Sequence, residues 1–98
     1  VVDDSIVRGT SIKKIVSLLK SNGAKEIHFR LTSPKIVNSC FWGVDIPDKN
    51  ELLAYKFNSS DNSDIINLLK IDSIEFIPLE DFKEMFKENI WCHNCLKL

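Results

Sequence analysis

The stretch VVDDSIVRGTS, residues 1–11, decides the fold, because it joins the end of a strand to a loop that leads into a helix. Val1 and Val2 are β-branched, and such side chains fit the packed surface of a buried strand. Asp3 and Asp4 follow at once and mark the point where the strand reaches solvent. The sequence therefore predicts a strand whose carboxyl end carries two adjacent carboxylates.

A helix and a second strand are predicted after this loop. Apolar residues recur at helical spacing over residues 11–22, with lysines on the other face, and Gly23 predicts the end of the helix. Residues 25–33 alternate apolar and polar side chains, as is typical of a strand, and Pro34 ends it. Strand, loop, helix and strand make a βαβ unit with parallel strands. The predicted fold class is α/β.

The rest of the chain is predicted to contain short helices and one further strand. Phe41 and Trp42 lie in a loop without clear periodicity, where we expect them to be buried in the core. Asp48 and Glu51 have the spacing of a capping box at the start of a helix. The predicted helices cover residues 50–55, 65–69 and 79–91, and the predicted third strand covers residues 73–78.

Composition excludes several classes of protein. The chain has 98 residues, of which 44% are hydrophobic and 28% charged, and its net charge is −1, so it fits one soluble domain or part of one. It has no basic stripe for nucleic acid, and its apolar runs of four or five residues are too short for a membrane span or a signal peptide. We therefore expect a cytoplasmic protein with neither nucleic acid nor membrane as partner. The chain lacks an initiating Met, and we expect it to be a fragment.

The loop over residues 5–11 has the features of an anion-binding site. A loop between a parallel strand and a helix brings backbone N–H groups to the helix N-terminus, where they and the helix dipole bind phosphate. Gly9 lets the backbone approach an anion closely. Asp3 and Asp4 would repel a phosphate alone, so the ligand should also carry hydroxyls or a divalent cation. This combination favours a phosphorylated sugar with Mg²⁺ at the carboxyl end of the first strand.

These residues resemble a known motif. Residues 3–11, DDSIVRGTS, resemble the phosphoribosyl pyrophosphate motif of type I phosphoribosyltransferases, and this variant is similar to that of the glutamine phosphoribosylpyrophosphate amidotransferases. RLTSPKIVNSCFWGVD, residues 30–45, and SIEFIPLEDF, residues 73–82, resemble later segments of the same family. Four positions depart from the family pattern: Ser11, Lys35, Ser39 and Trp42. The resemblance implies that residues 1–98 form the C-terminal half of a Rossmann-like type I phosphoribosyltransferase fold, without the N-terminal glutaminase domain and the first half of the transferase domain.

The resemblance also implies a function. In the family, ammonia from glutamine displaces pyrophosphate from phosphoribosyl pyrophosphate (PRPP), which gives 5-phosphoribosylamine in the first step of purine synthesis, and purine nucleotides act as feedback inhibitors. Asp3 and Asp4 would contact the ribose hydroxyls and Mg²⁺, while the loop would hold the 5-phosphate. We expect a homo-oligomeric parent, no catalytic side chain in this chain, and no activity of the chain alone. The implied substrate-binding residues are Asp3, Asp4, Ser5, Ile6, Val7, Arg8, Gly9, Thr10 and Ser11.

The cysteines form a second candidate site. From spacing alone, the C-x-x-C pair Cys92 and Cys95 is consistent with half of a zinc site, a redox pair or two ligands of an iron–sulfur cluster. A redox pair usually opens a helix after a strand, which makes that option weaker here. The resemblance implies a structural [4Fe–4S] cluster, because family members that have one use cysteines at the matching positions. Its implied ligands are Cys40, Cys92 and Cys95, with the fourth outside this chain.

Two other functions are open at this point. Bacterial receiver domains also begin with a strand and an acidic pair, and Asp45 lies near the position of their acceptor aspartate. CFWGVD is nevertheless a poor buried strand, and Gly9, Thr10 and Ser11 have no role in a receiver. The other alternative is a PRPP-sensing regulator without catalysis, as in certain purine repressors, although the cysteine pattern argues against it.

Overall fold

Three parallel strands form one sheet in the computed structural model, which describes residues 1–46, 48–58, 61–86 and 91–97. The strands are β1 (Val2–Asp3), β2 (His28–Leu31) and β3 (Ser73–Phe76), in the order β1–β2–β3. Asp3 lies opposite Leu31, and Leu31 lies opposite Phe76, so the carboxyl ends of all three strands meet at one edge. The predicted α/β class and parallel βαβ unit are confirmed.

Four α-helices accompany this sheet in the described part of the chain. They are α1 (Thr10–Ser21), α2 (Leu53–Lys56), α3 (Ser63–Leu69) and α4 (Leu79–Met85), with 3-10 turns at Lys49–Glu51 and Asn94–Leu96. α1 connects β1 to β2 and packs against α3. α4 begins where the last predicted helix begins, but residues 87–90 of that prediction lie outside the described residues. None of the described helices has the length and apolarity needed to cross a bilayer.

The core lies between the sheet and the helices α1 and α3. Phe29 on β2, Ile74 on β3 and Ile65 on α3 are almost completely buried and belong to one hydrophobic cluster. On β2 the buried Phe29 alternates with the exposed His28 and Arg30, as the sequence predicts. This packing joins β2 and β3 to α3.

β1 differs from its predicted environment. Val1 is 48% and Val2 is 73% exposed, whereas the sequence predicts a buried strand end. The reason is the position of β1 at the edge of the sheet, where it pairs with β2 alone among the described strands. β-branched residues indicate a strand, but they do not reveal whether both of its faces are covered.

The prediction that Phe41 and Trp42 belong to the core is wrong. Their side chains are 83% and 77% exposed, whereas Ile36 and Val37, a few residues earlier, are buried. The segment is therefore packed against the protein at Ile36 and Val37 and exposed to solvent at Phe41 and Trp42. Aromatic residues favour burial only on average, and a loop without periodicity gives no indication of which side faces the core.

α1 ends in a Schellman motif built on Gly23. The Gly23 N–H donates to the Lys20 carbonyl at 3.1 Å, and the Ala24 N–H donates to the Leu19 carbonyl at 3.0 Å. Gly23 has φ +91°, and no heavy atom lies within 4 Å of the position that a Cβ would occupy. Its backbone conformation, not a lack of space, therefore requires glycine.

The substitution Gly23→Ala is expected to lower the free energy of unfolding by about 1 kcal/mol, because alanine disfavours the left-handed conformation. Gly23→Asn is the matched control, since asparagine tolerates this conformation better, and it should cost less. Urea denaturation followed by circular dichroism measures both values. If both variants lose the same free energy of unfolding, the left-handed conformation of Gly23 is not the cause of the loss.

Candidate functional site

A hollow of about 190 Å³ lies between the end of β1 and the start of α1. Its lining contains every substrate-binding residue implied by the sequence except Asp4. The lining residues are Asp3, Ser5, Ile6, Val7, Arg8, Gly9, Thr10, Ser11 and Ile12. The structure thus brings these side chains and amides together in one place, as a binding loop requires, while the binding itself stays a prediction.

The N-terminus of α1 faces this hollow. The Lys13 N–H donates to the Gly9 carbonyl at 3.1 Å, which is the first hydrogen bond of the helix. The N–H groups of Thr10, Ser11 and Ile12 come before this bond and have no partner within the helix. Among the described residues, no side chain caps the helix. The arrangement therefore leaves three donors and the positive end of the helix dipole for an anion.

Gly9 makes the turn from the loop into α1. It is buried and has φ +83°, a conformation that L side chains rarely adopt. A Cβ built on Gly9 would lie 3.1 Å from Leu53 Cδ2, which is closer than ordinary van der Waals contact. Both the conformation and the close neighbour restrict this position to glycine.

The two aspartates at the end of β1 are held by the backbone that follows them. Asp3 Oδ1 accepts a hydrogen bond from the Asp4 N–H at 2.8 Å, and Asp4 Oδ1 accepts one from the Ser5 N–H at 2.6 Å. Each carboxylate is thereby oriented through one oxygen, and within the described residues its Oδ2 is left for a ligand. Oxygen atoms of this kind accept hydrogen bonds from sugar hydroxyls and suit Mg²⁺.

Arg8 on the loop forms an ion pair that sequence reasoning missed. Its Nε lies 3.1 Å from Glu51 Oε2, and the two side chains are 43% and 57% exposed. The predicted capping box does not form. Asp48 Oδ1 accepts from the Asn50 N–H at 2.9 Å at the start of the 3-10 turn Lys49–Glu51, α2 begins only at Leu53, and the Glu51 carboxylate reaches Arg8. The partners are 43 positions apart, and no local pattern indicates such a pair.

The C-terminal tail is docked on the segment that precedes Cys40. The N–H groups of Val37 and Asn38 both donate to the Cys95 carbonyl, at 2.8 and 3.0 Å. The Asn38 side-chain amide also donates to the Lys97 carbonyl. These three hydrogen bonds bring the C-x-x-C segment to the predicted third cysteine.

The three thiols Cys40, Cys92 and Cys95 are free. Burial raises the pKa of the Cys95 thiol, a backbone hydrogen bond opposes this effect, and the neighbouring Cys40 and Cys92 thiols raise the pKa further. The described ranges nevertheless contain no group of three or more His, Cys, Asp or Glu arranged to hold a metal ion. The three thiols are thus not gathered in ligating positions in the described residues, although thiolate as a donor type suits iron–sulfur clusters and Zn²⁺.

Asp45, the residue that a receiver domain would phosphorylate, does not line the hollow. It is exposed in the loop after Gly43, whereas a receiver's acceptor ends a buried strand. β2, the strand that precedes it, already ends at Leu31. The structure therefore argues against the receiver alternative.

A larger hollow of about 710 Å³ lies near the carboxyl ends of β2 and β3, and none of the predicted site residues lines it. Two of its three lysines have partners: Lys83 Nζ lies 3.5 Å from Glu80, and Lys35 Nζ lies 5.5 Å from the centre of the Phe76 ring. We therefore place the candidate site at the smaller hollow, where backbone N–H groups, hydroxyls and carboxylates converge.

Known proteins resemble nearly all of this chain. It is 45% identical over 97 residues to a chloroplastic amidophosphoribosyltransferase of Vigna aconitifolia, a match that covers 97% of this chain and 19% of that protein. It is 42% identical over 89 residues to the amidophosphoribosyltransferase of Homo sapiens, which covers 91% and 17%. No protein-family model matches the chain.

A solved structure matches the fold as well. The glutamine PRPP amidotransferase from B. subtilis, in complex with ADP and GMP, superposes with a TM-score of 0.73 at 34% identity. The match covers 98% of this chain and 20% of that one. The chain thus spans about a fifth of the length of the proteins that it matches, and its three-stranded sheet corresponds to part of the transferase fold.

Proposed function

We propose that this chain, a homologue of the amidophosphoribosyltransferases over 97% of its residues, provides the ribose-phosphate-binding part of such an enzyme. The reaction proposed for the parent is formation of 5-phosphoribosylamine from PRPP and glutamine-derived ammonia, at the start of de novo purine synthesis. The observation that carries the proposal is the convergence of the predicted loop residues and Asp3 on one hollow at the N-terminus of α1. Residues 1–98 would be the C-terminal part of the transferase domain.

The loop and the helix end would hold the 5-phosphate. The N–H groups of Thr10, Ser11 and Ile12 supply donors, and the hydroxyls of Thr10 and Ser11 lie at the same hollow. The helix dipole adds a favourable interaction with the negative charge. Nothing in this part of the chemistry requires a nucleophile, because the groups act by positioning the substrate.

Asp3 and Asp4 would recognise the sugar. Their oriented carboxylates accept hydrogen bonds from the ribose hydroxyls, and they are the residues that would hold Mg²⁺. When bound, Mg²⁺ neutralises charge on the pyrophosphate leaving group. The carboxylates also favour the positive charge that develops on the ribose ring as ammonia approaches C1. We propose no proton-transferring residue in this chain, and the chain alone should be inactive.

The same loop is proposed to hold the phosphate of purine nucleotides that inhibit the parent enzyme. A nucleoside monophosphate carries the same ribose 5-phosphate as PRPP, so it presents the same groups to the loop and the aspartates. The matched B. subtilis enzyme was solved in complex with ADP and GMP, which supports nucleotide binding in the family. A homo-oligomeric parent and a cytoplasmic location stay predictions, and the plant relative is described as chloroplastic.

Cys40, Cys92 and Cys95 are proposed as three ligands of a [4Fe–4S] cluster whose fourth ligand lies outside this chain. The docking of the tail on the segment that precedes Cys40 supports this assignment. A cluster bound there would cross-link the tail to the segment before residue 40. Its proposed role is structural.

The substitution Asp3→Asn is expected to weaken binding of PRPP in the presence of Mg²⁺ about tenfold. A charge-assisted hydrogen bond contributes about 1.5–3 kcal/mol, and 1.4 kcal/mol corresponds to a tenfold change. Asparagine keeps an Oδ1 acceptor for the Asp4 N–H, so the loop should keep its shape. Isothermal titration calorimetry on this chain measures the dissociation constants.

Asp45→Asn is the matched control, because it removes the same charge from an exposed loop away from the hollow. It should bind PRPP as the unmodified chain does. Equal affinities for the Asp3→Asn and unmodified chains would contradict the role of Asp3. Failure of the unmodified chain to bind PRPP, or formation of phosphoribosylamine by this chain alone, would contradict the proposed function as a substrate-binding fragment.

A further inference from the structure

We propose that Leu53, assisted by Glu51, is a positioning residue for the phosphate-binding loop. The two residues lie in a segment about forty positions further along the chain, and neither lines the hollow. This inference rests on the proposed function, since it assigns a role in holding the shape of the same site. We call Glu51 and Leu53 the brace.

The brace contacts three consecutive loop residues by three different interactions. The Leu53 N–H donates to the Val7 carbonyl at 2.9 Å. The Glu51 carboxylate lies 3.1 Å from Arg8 Nε. The Leu53 side chain lies against Gly9, with Cδ2 3.1 Å from the site of a would-be Cβ. The segment that turns the chain into α1 is thereby held by residues that do not line the hollow.

The position of Leu53 at the start of α2 leaves its N–H free of helical bonding and available for the Val7 carbonyl. Leu53 is the first residue of α2, and the first N–H groups of a helix have no partner inside it. Its N–H can therefore bind the loop without any loss of helical hydrogen bonding. Exposed ion pairs add little to stability. The bond to Val7 and the packing on Gly9 are thus the stronger parts of the brace.

The neighbouring Leu52 provides a matched control. Leu52 is 0% and Leu53 is 3% exposed, so the two residues lose comparable burial when they are truncated. Only Leu53 belongs to the core cluster that contains Ile6, and only Leu53 bonds to the loop among the described contacts. A role in packing alone predicts similar effects for the two truncations, whereas the brace predicts different ones.

The first test needs no ligand. Amide hydrogen exchange is measured on the chain and on its Leu53→Ala and Leu52→Ala variants, and the milder Leu53→Val and Leu52→Val are used if the alanine variants unfold. The brace predicts that exchange at residues 7–12 rises about tenfold more with the change at Leu53 than with the change at Leu52. Equal increases in the two variants would overturn the proposal.

The second test measures binding of PRPP with Mg²⁺ to the same variants by calorimetry. Leu53→Val should bind several-fold more weakly than Leu52→Val. Leu53→Met should keep most of the affinity, because it has nearly the volume of leucine, while all these variants keep the backbone N–H that donates to Val7. Glu51→Gln should have a smaller effect. If the affinity for PRPP falls in proportion to the melting temperature in the Leu52 and Leu53 variants alike, the proposal of a brace is wrong.

The two proposals fail in different ways. If the unmodified chain does not bind PRPP but the exchange difference between the leucine variants persists, the brace stands and the ligand assignment is wrong. If PRPP binds to all variants with equal affinity and the loop amides exchange equally, the ligand assignment stands and the brace is wrong.

Discussion

Gly9→Val is expected to weaken binding of PRPP in the presence of Mg²⁺ about 100-fold, or about 2.7 kcal/mol. A non-glycine residue at φ +83° costs about 1–2 kcal/mol, and a β-branched one costs more. The added side chain would also meet Leu53 Cδ2, because even its Cβ would lie only 3.1 Å away. Relief of this strain requires the loop to turn away from its present path, which redirects the N–H groups at the start of α1.

Gly43→Val is the control for this prediction. Gly43 has φ +89°, nearly the same backbone conformation, but nothing lies within 4 Å of its would-be Cβ and it does not line the hollow. The two variants should therefore share the strain, while only Gly9→Val loses affinity for PRPP. Calorimetry below the melting transition of each variant gives the comparison. Comparable affinity losses in both variants would show that general destabilisation, and not the geometry of the loop, weakens binding.

Gly9→Ala separates the two contributions to this effect. Alanine introduces the backbone strain and the single Cβ contact with Leu53, but the leucine side chain can move by a few tenths of an ångström to accept it. Its affinity should fall between that of the unmodified chain and that of Gly9→Val. An alanine variant as weak as the valine variant would assign the whole loss to the backbone conformation.

The opening loop could be predicted from the sequence because its signals are local. Within about twenty residues, the sequence contains a strand that ends in acidic residues, then a glycine, then an amphipathic helix. The structure has these elements in this order, and α1 begins at Thr10 instead of the predicted Ser11. The end of α1 at Gly23 could also be predicted, because a Schellman motif depends on one residue in the left-handed conformation. Backbone dihedral preferences and the periodicity of apolar residues determine local structure of this kind.

The brace could not be predicted from the same sequence. Glu51 has the spacing of a capping box and Leu53 the character of a core residue, and each reading is reasonable locally. Their contacts with Arg8 and Gly9 depend on how the chain returns to the first loop after β2, which no short-range pattern specifies. The exposure of Phe41 and Trp42 has a similar cause, because burial depends on what the rest of the chain covers.

The candidate cysteine site could be predicted from the sequence only in part. The C-x-x-C spacing indicates a metal or redox site locally, but it does not identify the third residue. The structure adds the hydrogen bonds that hold Cys95 next to the segment of Val37 and Asn38, and through them the proximity of Cys40. The tail is thus held to this segment by hydrogen bonds between backbone groups. A cluster bound there would add a further link to these contacts.

Cys95→Ser is expected to abolish retention of iron and acid-labile sulfide by the chain after anaerobic reconstitution. Cys95 is the residue of the C-x-x-C pair whose carbonyl accepts from Val37 and Asn38, and serine retains the shape of the side chain but lacks the soft thiolate donor that iron–sulfur clusters require. With an added thiol to supply the fourth ligand, the unmodified chain should retain iron and sulfide in equal amounts, about four of each per cluster. Elemental analysis and visible absorption measure the content.

The controls distinguish the cluster from its alternatives. Cys40→Ser and Cys92→Ser should lose iron in the same way, whereas Ser39→Ala, beside Cys40 in the chain, should retain it. Retention of zinc without sulfide by the unmodified chain would replace the cluster with a zinc site, which three thiols and one outside ligand also suit. Undiminished iron in Cys40→Ser, together with loss in the other two cysteine variants, would restrict the site to the C-x-x-C pair. In that case the docking of the tail on Val37 and Asn38 would be a feature of packing alone.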